Sequence, residues 1–315
     1  MKRSRIIVII ALIVSSFCLA QKKVKTHEGV RIGGIKQWIG ANSTNDQLPL
    51  LLFIHGGPGF SSRSYSKSFM KEVRRHYIVA QWDQRGAGIT EAWSPDAEIS
   101  LDILMKDTEE VVTYLLKKFK KDKLLLVGFS WGNILGLNYA TKHPENLHAY
   151  ISVSGLTNGA VSEEGNLLWL KEQVAKKPNG MANQEVDKIQ LPFNTWTDLY
   201  YMRKWSAYYS GVKNAEHTFP KQLFQDWADL WMPIFLKAEE INHSSTITEL
   251  KCPYFSFLSR LDHVANYEEG ESFFNGLKTP DKQLIWFDKS THEIPTDEPE
   301  KFSSELIKIK DFLFN

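Results

Sequence analysis

The chain has 315 residues, 43% of them hydrophobic and 24% charged, with 38 basic against 37 acidic side chains. That describes a globular chain with ample core, long enough for one large α/β domain or one domain carrying an insertion. The near-balance of charge excludes the basic footprint of a nucleic-acid-binding protein.

Residues 1–20 read as a secretory signal. Met1-Lys2-Arg3-Ser4-Arg5 is a basic start, Ile6 to Val14 is apolar, and Ser15 to Ala20 ends in small residues suited to cleavage after Ala20. The apolar run is too short to span a membrane, which takes about 20 residues. The alternative is a lipoprotein signal with Cys18 lipidated, although bulky Phe17 stands where a small residue is expected. The expectation is an exported chain, periplasmic or secreted, beginning near Gln21. Losing Lys2, Arg3 and Arg5 would move the net charge from +1 to −2. Only Cys252 would remain, so no internal disulfide could form, and a core this large needs none.

Residues 24–40, with Gly29, Gly33 and Gly34 interrupting Val24, Val30, Ile32, Ile35, Trp38 and Ile39, predict an edge hairpin, with a polar loop over 41–47. Leu48 to Ile54 is wholly apolar, the pattern of a strand buried on both faces. It runs into His55-Gly56-Gly57-Pro58-Gly59. Three glycines let backbone N–H groups approach a ligand, and in acyl transfer such a loop serves as an oxyanion hole. Gly57 is the first choice of donor and Gly56 the second. No Gly-Lys-Ser/Thr follows, which disfavours a phosphate loop. Ser61 to His76 predicts a polar helical connector, Tyr77 to Trp82 a strand, and Asp83 to Gly88 its exit loop. Asp83 and Arg85 suit a charged turn that braces neighbouring loops. Leu101 to Phe119 has the spacing of an amphipathic helix.

Leu124 to Val127 predicts a strand. Gly128-Phe129-Ser130-Trp131-Gly132 follows, then the buried helical pattern of Ile134, Leu135, Leu137, Tyr139 and Ala140. A strand, a tight turn and a helix with serine at the apex is the setting of a nucleophile. Ser130 would stand at a helix N-terminus, where the dipole favours negative charge. The backbone N–H of Trp131 would be the second oxyanion donor. His148 to Val153 is another strand, and the alternation predicts a mostly parallel sheet flanked by helices.

At Leu156 the alternation stops. Residues 156–249 show helical periodicity and read as an inserted helical cap between core segments 21–155 and 250–315. Phe224, Trp227, Trp231 and Phe235, and Tyr201, Trp205 and Tyr209, recur at helical spacing, which in most helices means packing. Trp196 and Trp205 are the candidates to line a pocket for an apolar substrate group. Strands are expected again at Tyr254–Leu258 and Gln283–Phe287, and helices at Tyr267–Leu277 and Pro299–Phe314. Asp262 and His292 each lie just past a strand. With Ser130 they form Ser…Asp…His in chain order, at the sheet edge where α/β active sites assemble. His292 would take the serine proton through Nε2, and Asp262 would hold the tautomer through Nδ1. His55, His263 and Asp288 are the weaker candidates for base and acid.

These motifs resemble the prolyl iminopeptidase-like α/β-hydrolases of peptidase family S33. The resemblance covers roughly 25–155 and 250–315. It rests on HGGPG at 55–59, DQRGAG at 83–88, GFSWG at 128–132, LSRLD at 258–262 and FDKSTH at 287–292. It implies the hydrolase sheet with a helical cap, Ser130, Asp262 and His292 as triad, Gly57 and Trp131 as oxyanion donors, and neither metal nor organic cofactor. Ser259-Arg260-Leu261-Asp262 replaces a GRYD-type segment, Ser290-Thr291-His292 replaces SGH, and Thr90 stands where serine is usual. In the aminopeptidase members, cap glutamates bind the substrate amine. Glu163, Glu164, Glu216, Glu239 and Glu240 are candidates here by charge alone.

Three functions follow. One is an aminopeptidase releasing an N-terminal residue such as proline from short peptides. Another is a carboxylesterase or amidase on small apolar substrates. The third is a non-catalytic binding protein on the same fold. The expected partner is a small peptide or ester whose acyl side carries one compact apolar group. The twelve aromatic residues between Phe193 and Phe235 exceed what a thin helical layer needs for packing. Oligomeric state is not legible from the residues.

Overall fold

A computed structural model describes residues 22–314; the signal-like segment 1–20, with Cys18 and Ala20, lies outside them. Eight strands run in chain order as β1 (Val24–Ile32), β2 (Ile35–Ser43), β3 (Leu50–Ile54), β4 (Ile78–Trp82), β5 (Leu124–Phe129), β6 (Leu147–Val153), β7 (Tyr254–Leu258) and β8 (Lys282–Trp286). They form one sheet in the order β1-β2-β4-β3-β5-β6-β7-β8. β1 and β2 pair antiparallel, as do β2 and β4, and every other neighbour is parallel.

The apolar central strands make sense because both faces are covered. Leu50, Leu52, Ile54, Leu124 and Leu126 face one layer with Leu104, Val111 and Leu115 of helix 101–119 and Ile134 and Leu137 of helix 132–142. Leu51, Phe53, Leu125 and Val127 point the other way, onto Phe69 and Met70 of helix 67–73 and Phe302 and Leu306 of helix 299–314. Alternate residues of one strand thus feed two separate cores.

Helix 101–119 has the predicted bounds and is capped by Ser100, whose hydroxyl accepts the Ile103 N–H. Two expectations change. β2 continues to Ser43 into the supposed loop, because Ala41 and Asn42 pair with Ala80 and Val79 of β4 and Ala41 is buried. Pairing with a central strand overrides weak local propensity. The 61–76 connector is helical only over Lys67–Val73, and residues 74–77 turn the chain from that helix into β4.

Between β6 and β7 lie six helices: 159–176, 180–186, 196–209, 215–218, 221–239 and 243–246. Asn158, Asn179 and Thr195 cap the first three by accepting backbone N–H groups. This layer has its own core of Leu170, Val186, Leu199, Met202, Trp205 and Phe235. Helix 221–239 joins it to the sheet: Trp231, Ile234 and Ala238 belong to the sheet-side core and Met232 and Phe235 to the cap core. Among the described residues no helix is long and apolar enough to cross a membrane.

Candidate active site

Ser130 sits in the turn between β5 and helix 132–142 with φ 52°, a left-handed conformation costly for a residue with a side chain. Its N–H donates to the Val153 carbonyl at 2.9 Å, and its carbonyl accepts the Asn133 N–H at 2.9 Å. The glycines on either side answer to close approach. A Cβ on Gly132 would lie 2.4 Å from the Ile54 carbonyl oxygen and 2.9 Å from that of His55. One on Gly128 would lie 2.5 Å from the Tyr150 hydroxyl and 2.8 Å from the Gly132 carbonyl oxygen.

The β7 and β8 exit loops bring Asp262 and His292 to this turn. His292 Nε2 is 2.8 Å from Ser130 Oγ, and its Nδ1 is 2.9 and 3.0 Å from the two Asp262 oxygens. Asp262 is buried, and its Oδ1 accepts the N–H groups of Val264 at 2.9 Å and Ala265 at 3.0 Å. A carboxylate held against Nδ1 places the ring proton there and leaves Nε2 free to accept from the serine. Burial pulls the imidazole pKa down, but the charge and hydrogen bond of Asp262 outweigh it, and the net shift is upward. The Ser259 hydroxyl donates to the Ser290 carbonyl, tying the two exit loops together. Both serines lie in the LSRLD and FDKSTH segments at 258–262 and 287–292.

Gly57 adopts φ 127°, which only glycine takes without strain, and so turns the loop after β3 over the serine. Among the described residues, neither the Gly57 nor the Trp131 N–H has a protein acceptor. Among the described residues, the His55 ring forms its hydrogen bonds away from Ser130. Its Nδ1 donates to the Gly56 carbonyl at 2.8 Å, and its Nε2 accepts the Gln84 N–H at 3.3 Å. Burial keeps it neutral by lowering its pKa. The Gln84 side chain donates to the His55 carbonyl at 3.0 Å and accepts from the Trp131 indole at 3.2 Å. Gln84 therefore holds both segments that carry the candidate oxyanion donors.

Asp83 and Arg85 act as braces. Asp83 accepts from the Ser61 hydroxyl at 2.5 Å and the Ile89 N–H at 2.9 Å. Arg85 grips buried Asp107 through two nitrogens at 2.9 and 3.1 Å. Asp288 is exposed, with Lys301 at 3.9 Å, and His263 stacks on Trp169 at 4.0 Å between ring centroids.

A cavity of about 490 Å³ lies between the sheet edge and the cap, with Ser130, His292, Gly56 and Gly57 among its lining residues. Its cap wall comes from Leu199, Arg203, Phe219, Phe224, Trp227 and Phe235. Trp196 and Trp205 do not line it. Trp205 is fully buried in the cap core, with its indole N–H donated to Glu185 at 2.8 Å, and Trp196 packs edge-on against Tyr200. Helix 196–209 turns Leu199, Arg203 and Ser206 to the cavity, and Trp205 falls on another face.

The candidate acids also separate. Glu164 is exposed and Glu240 pairs with Lys237 at the surface. Glu163 is buried and holds the Arg203 guanidinium through both its oxygens. Glu239 lies beside this pair; burial and then the Glu163 charge push its pKa up to about 8, against the pull of Arg203. Arg203 escaped the sequence reading because nothing in a helix marks which of its cations is drawn inward by an acid on another helix.

The cap also touches the oxyanion loop. The Trp227 indole N–H donates to the Pro58 carbonyl at 2.8 Å. Trp231 lies over Gly59, where a Cβ would come within 2.4 Å of it, and meets Trp131 edge-on at 6.3 Å. Among the described residues, no group of three or more His, Cys, Asp and Glu is arranged to hold a metal ion.

Residues 49–299 match the family described as the alpha/beta hydrolase fold. A probable aminopeptidase of Bacillus subtilis, YbaC, is 25% identical over 313 residues, covering 91% of this chain and 96% of the relative. The solved proline iminopeptidase of Mycobacterium smegmatis superposes with a TM-score of 0.65 at 18% identity, covering 91% of this chain and 98% of that one. The Rhodococcus esterase RhEst1 superposes with a TM-score of 0.60 at 16% identity, covering 92% and 99%. At such identities the two structures speak to fold alone, whereas the family match spans most of the chain. The chain belongs to the α/β-hydrolase fold family and is a serine hydrolase.

Proposed function

We propose that the protein is an exported aminopeptidase that releases apolar N-terminal residues from short peptides through an acyl-serine intermediate. The observation that carries the mechanism is the hydrogen-bonded line from Ser130 Oγ through His292 to buried Asp262, opening into a capped cavity. Ser130 Oγ attacks the scissile carbonyl carbon as its proton passes to His292 Nε2. The N–H groups of Gly57 and Trp131 receive the oxyanion. The amine leaves with the proton from His292, and water then releases the acyl group by the same steps in reverse roles.

The aminopeptidase assignment is supported by the likeness to the probable aminopeptidase of Bacillus subtilis and by a buried acid at the cavity wall. Glu163 is already held by Arg203, and Glu293, which lines the cavity beside His292 and is pushed toward its neutral form by burial, is the carboxylate placed to meet an ammonium group. A substrate amine would supply the counter-charge that lets it ionise despite burial. The test is a matched pair of proline arylamides, one with a free amine and one N-acetylated. The free amine should be preferred at least tenfold, and Glu293→Gln should erase the preference. Equal rates on the two would remove the amine-binding role and leave an amidase or esterase.

A further inference from the structure

The cavity is larger and more apolar than one compact residue requires. Its volume of about 490 Å³ falls in the range that buries a drug-sized ligand, roughly 300–1,000 Å³. Phe129, Leu156, Leu199 and Phe235 form its interior. The charges that reach it are few. Arg203 is neutralised by Glu163, and Glu293 lies beside His292.

The mouth carries a second signal. Phe60, Val212, Leu223 and Leu261 all line the cavity, yet are 47%, 55%, 56% and 47% exposed. They account for four of the eleven large apolar side chains exposed among the described residues. They come from four separate places: the loop after β3, the turn at Gly211, the start of helix 221–239 and the loop after β7. Single exposed apolar residues are ordinary, but four converging on one opening form a patch that marks a ligand path. A prolyl group seated at Ser130 would leave that collar without a partner.

We infer that the same site hydrolyses esters of linear, uncharged acyl chains of about six to ten carbons, whose far end lies in the Phe60–Val212–Leu223–Leu261 collar. The inference rests on the acyl-serine reading of Ser130 and not on amine recognition. The chemistry balances without any added reactant. Ser130 Oγ bonds to the ester carbonyl carbon and gives its proton to His292, and the alcohol leaves with that proton. Water then adds to the acyl-enzyme and frees the carboxylic acid. Each methylene that enters apolar surroundings should raise kcat/KM by about fourfold until the cavity is full.

The test uses p-nitrophenyl esters from acetate to dodecanoate below their micelle concentrations, with Ser130→Ala as background. The expected result is a Ser130-dependent kcat/KM that climbs from acetate to a maximum between hexanoate and decanoate. The double variant Leu223→Asp, Leu261→Asp should lower the octanoate-to-acetate ratio by about tenfold or more, since charge in the collar penalises the long chain. Fastest Ser130-dependent turnover on acetate, falling steadily with length, would overturn the inference while leaving the acyl-serine reading intact. An unchanged ratio in the double variant would also overturn the collar's role. Absence of Ser130-dependent turnover on every ester and arylamide would instead remove the proposed function, and the inference with it.

Discussion

Gly132→Ala tests how the fold sets the spacing of the oxyanion donors. Its added methyl would point at the carbonyl oxygens of Ile54 and His55, at 2.4 and 2.9 Å. Both are main-chain atoms at the end of β3, so no rotamer change relieves the contact. Reaching even 3.0 Å needs a shift of about 0.6 Å between β3 and the start of helix 132–142. The Gly57 N–H hangs from one side of that contact and the Trp131 N–H from the other, so the shift pulls the donors apart. Overpacking of this kind costs about 1–3 kcal/mol of stability. Misplacement of an oxyanion donor costs about 10²-fold in kcat. The assay is steady-state hydrolysis of a prolyl arylamide beside urea denaturation. Leu115→Ala serves as control: Leu115 is fully buried in helix 101–119, and its truncation should cost about 2–5 kcal/mol without touching the donors. The expected outcome is a kcat loss in Gly132→Ala alone, with KM little changed. If Gly132→Ala keeps kcat within twofold of wild type, or Leu115→Ala loses as much, the contact does not govern the oxyanion hole.

Three further outcomes follow from the same geometry. His292 must be neutral to act as base, so kcat/KM should fall as pH drops through its raised pKa, with the acid limb above 6.5; Asp262→Asn should move that limb down and cut kcat by roughly 10³–10⁴, and a pH–rate profile with an unmoved limb would contradict this. Glu239 holds its proton in the fold to about pH 8 but in the unfolded chain only to about 4.5. Its contribution to stability is therefore full below 4.5 and is lost as pH rises through 8, so Glu239→Gln should flatten the urea-midpoint decline between pH 5.5 and 8.5. An identical decline in both proteins would argue against a buried, protonated Glu239. Export predicts a mature N-terminus near Gln21 in protein recovered from the native host, and N-terminal sequencing that finds Met1 would count against it.

The frame of the site was legible because its signals are local. The glycines two residues either side of Ser130 mark a tight strand–turn–helix unit in the sequence itself. Asp262 follows the wholly buried apolar run of β7, and His292 follows the apolar Leu284–Trp286 end of β8. The cap was legible only as a helical layer. Trp205 sits at the same helical spacing as Tyr201 and Tyr209, and that spacing marks a stripe without saying whether it faces the cap core or the cavity. The neighbouring helix decides, and it buries Trp205 against Glu185 while leaving Phe224 and Trp227 to the cavity. Arg203 meets Glu163 forty residues away, a pairing with no local trace. β2 was read short because Ala41 and Asn42 have no strand propensity of their own and owe their conformation to β4.

The central claim is that Ser130 is the nucleophile. Incubation of the full chain with a fluorophosphonate, followed by peptide mapping, tests it most directly. One label per molecule on Ser130, with loss of activity in step with labelling and no labelling of His292→Ala, is the predicted result. A label on another serine, or hydrolysis that continues at the wild-type rate after Ser130 is fully modified, would contradict it.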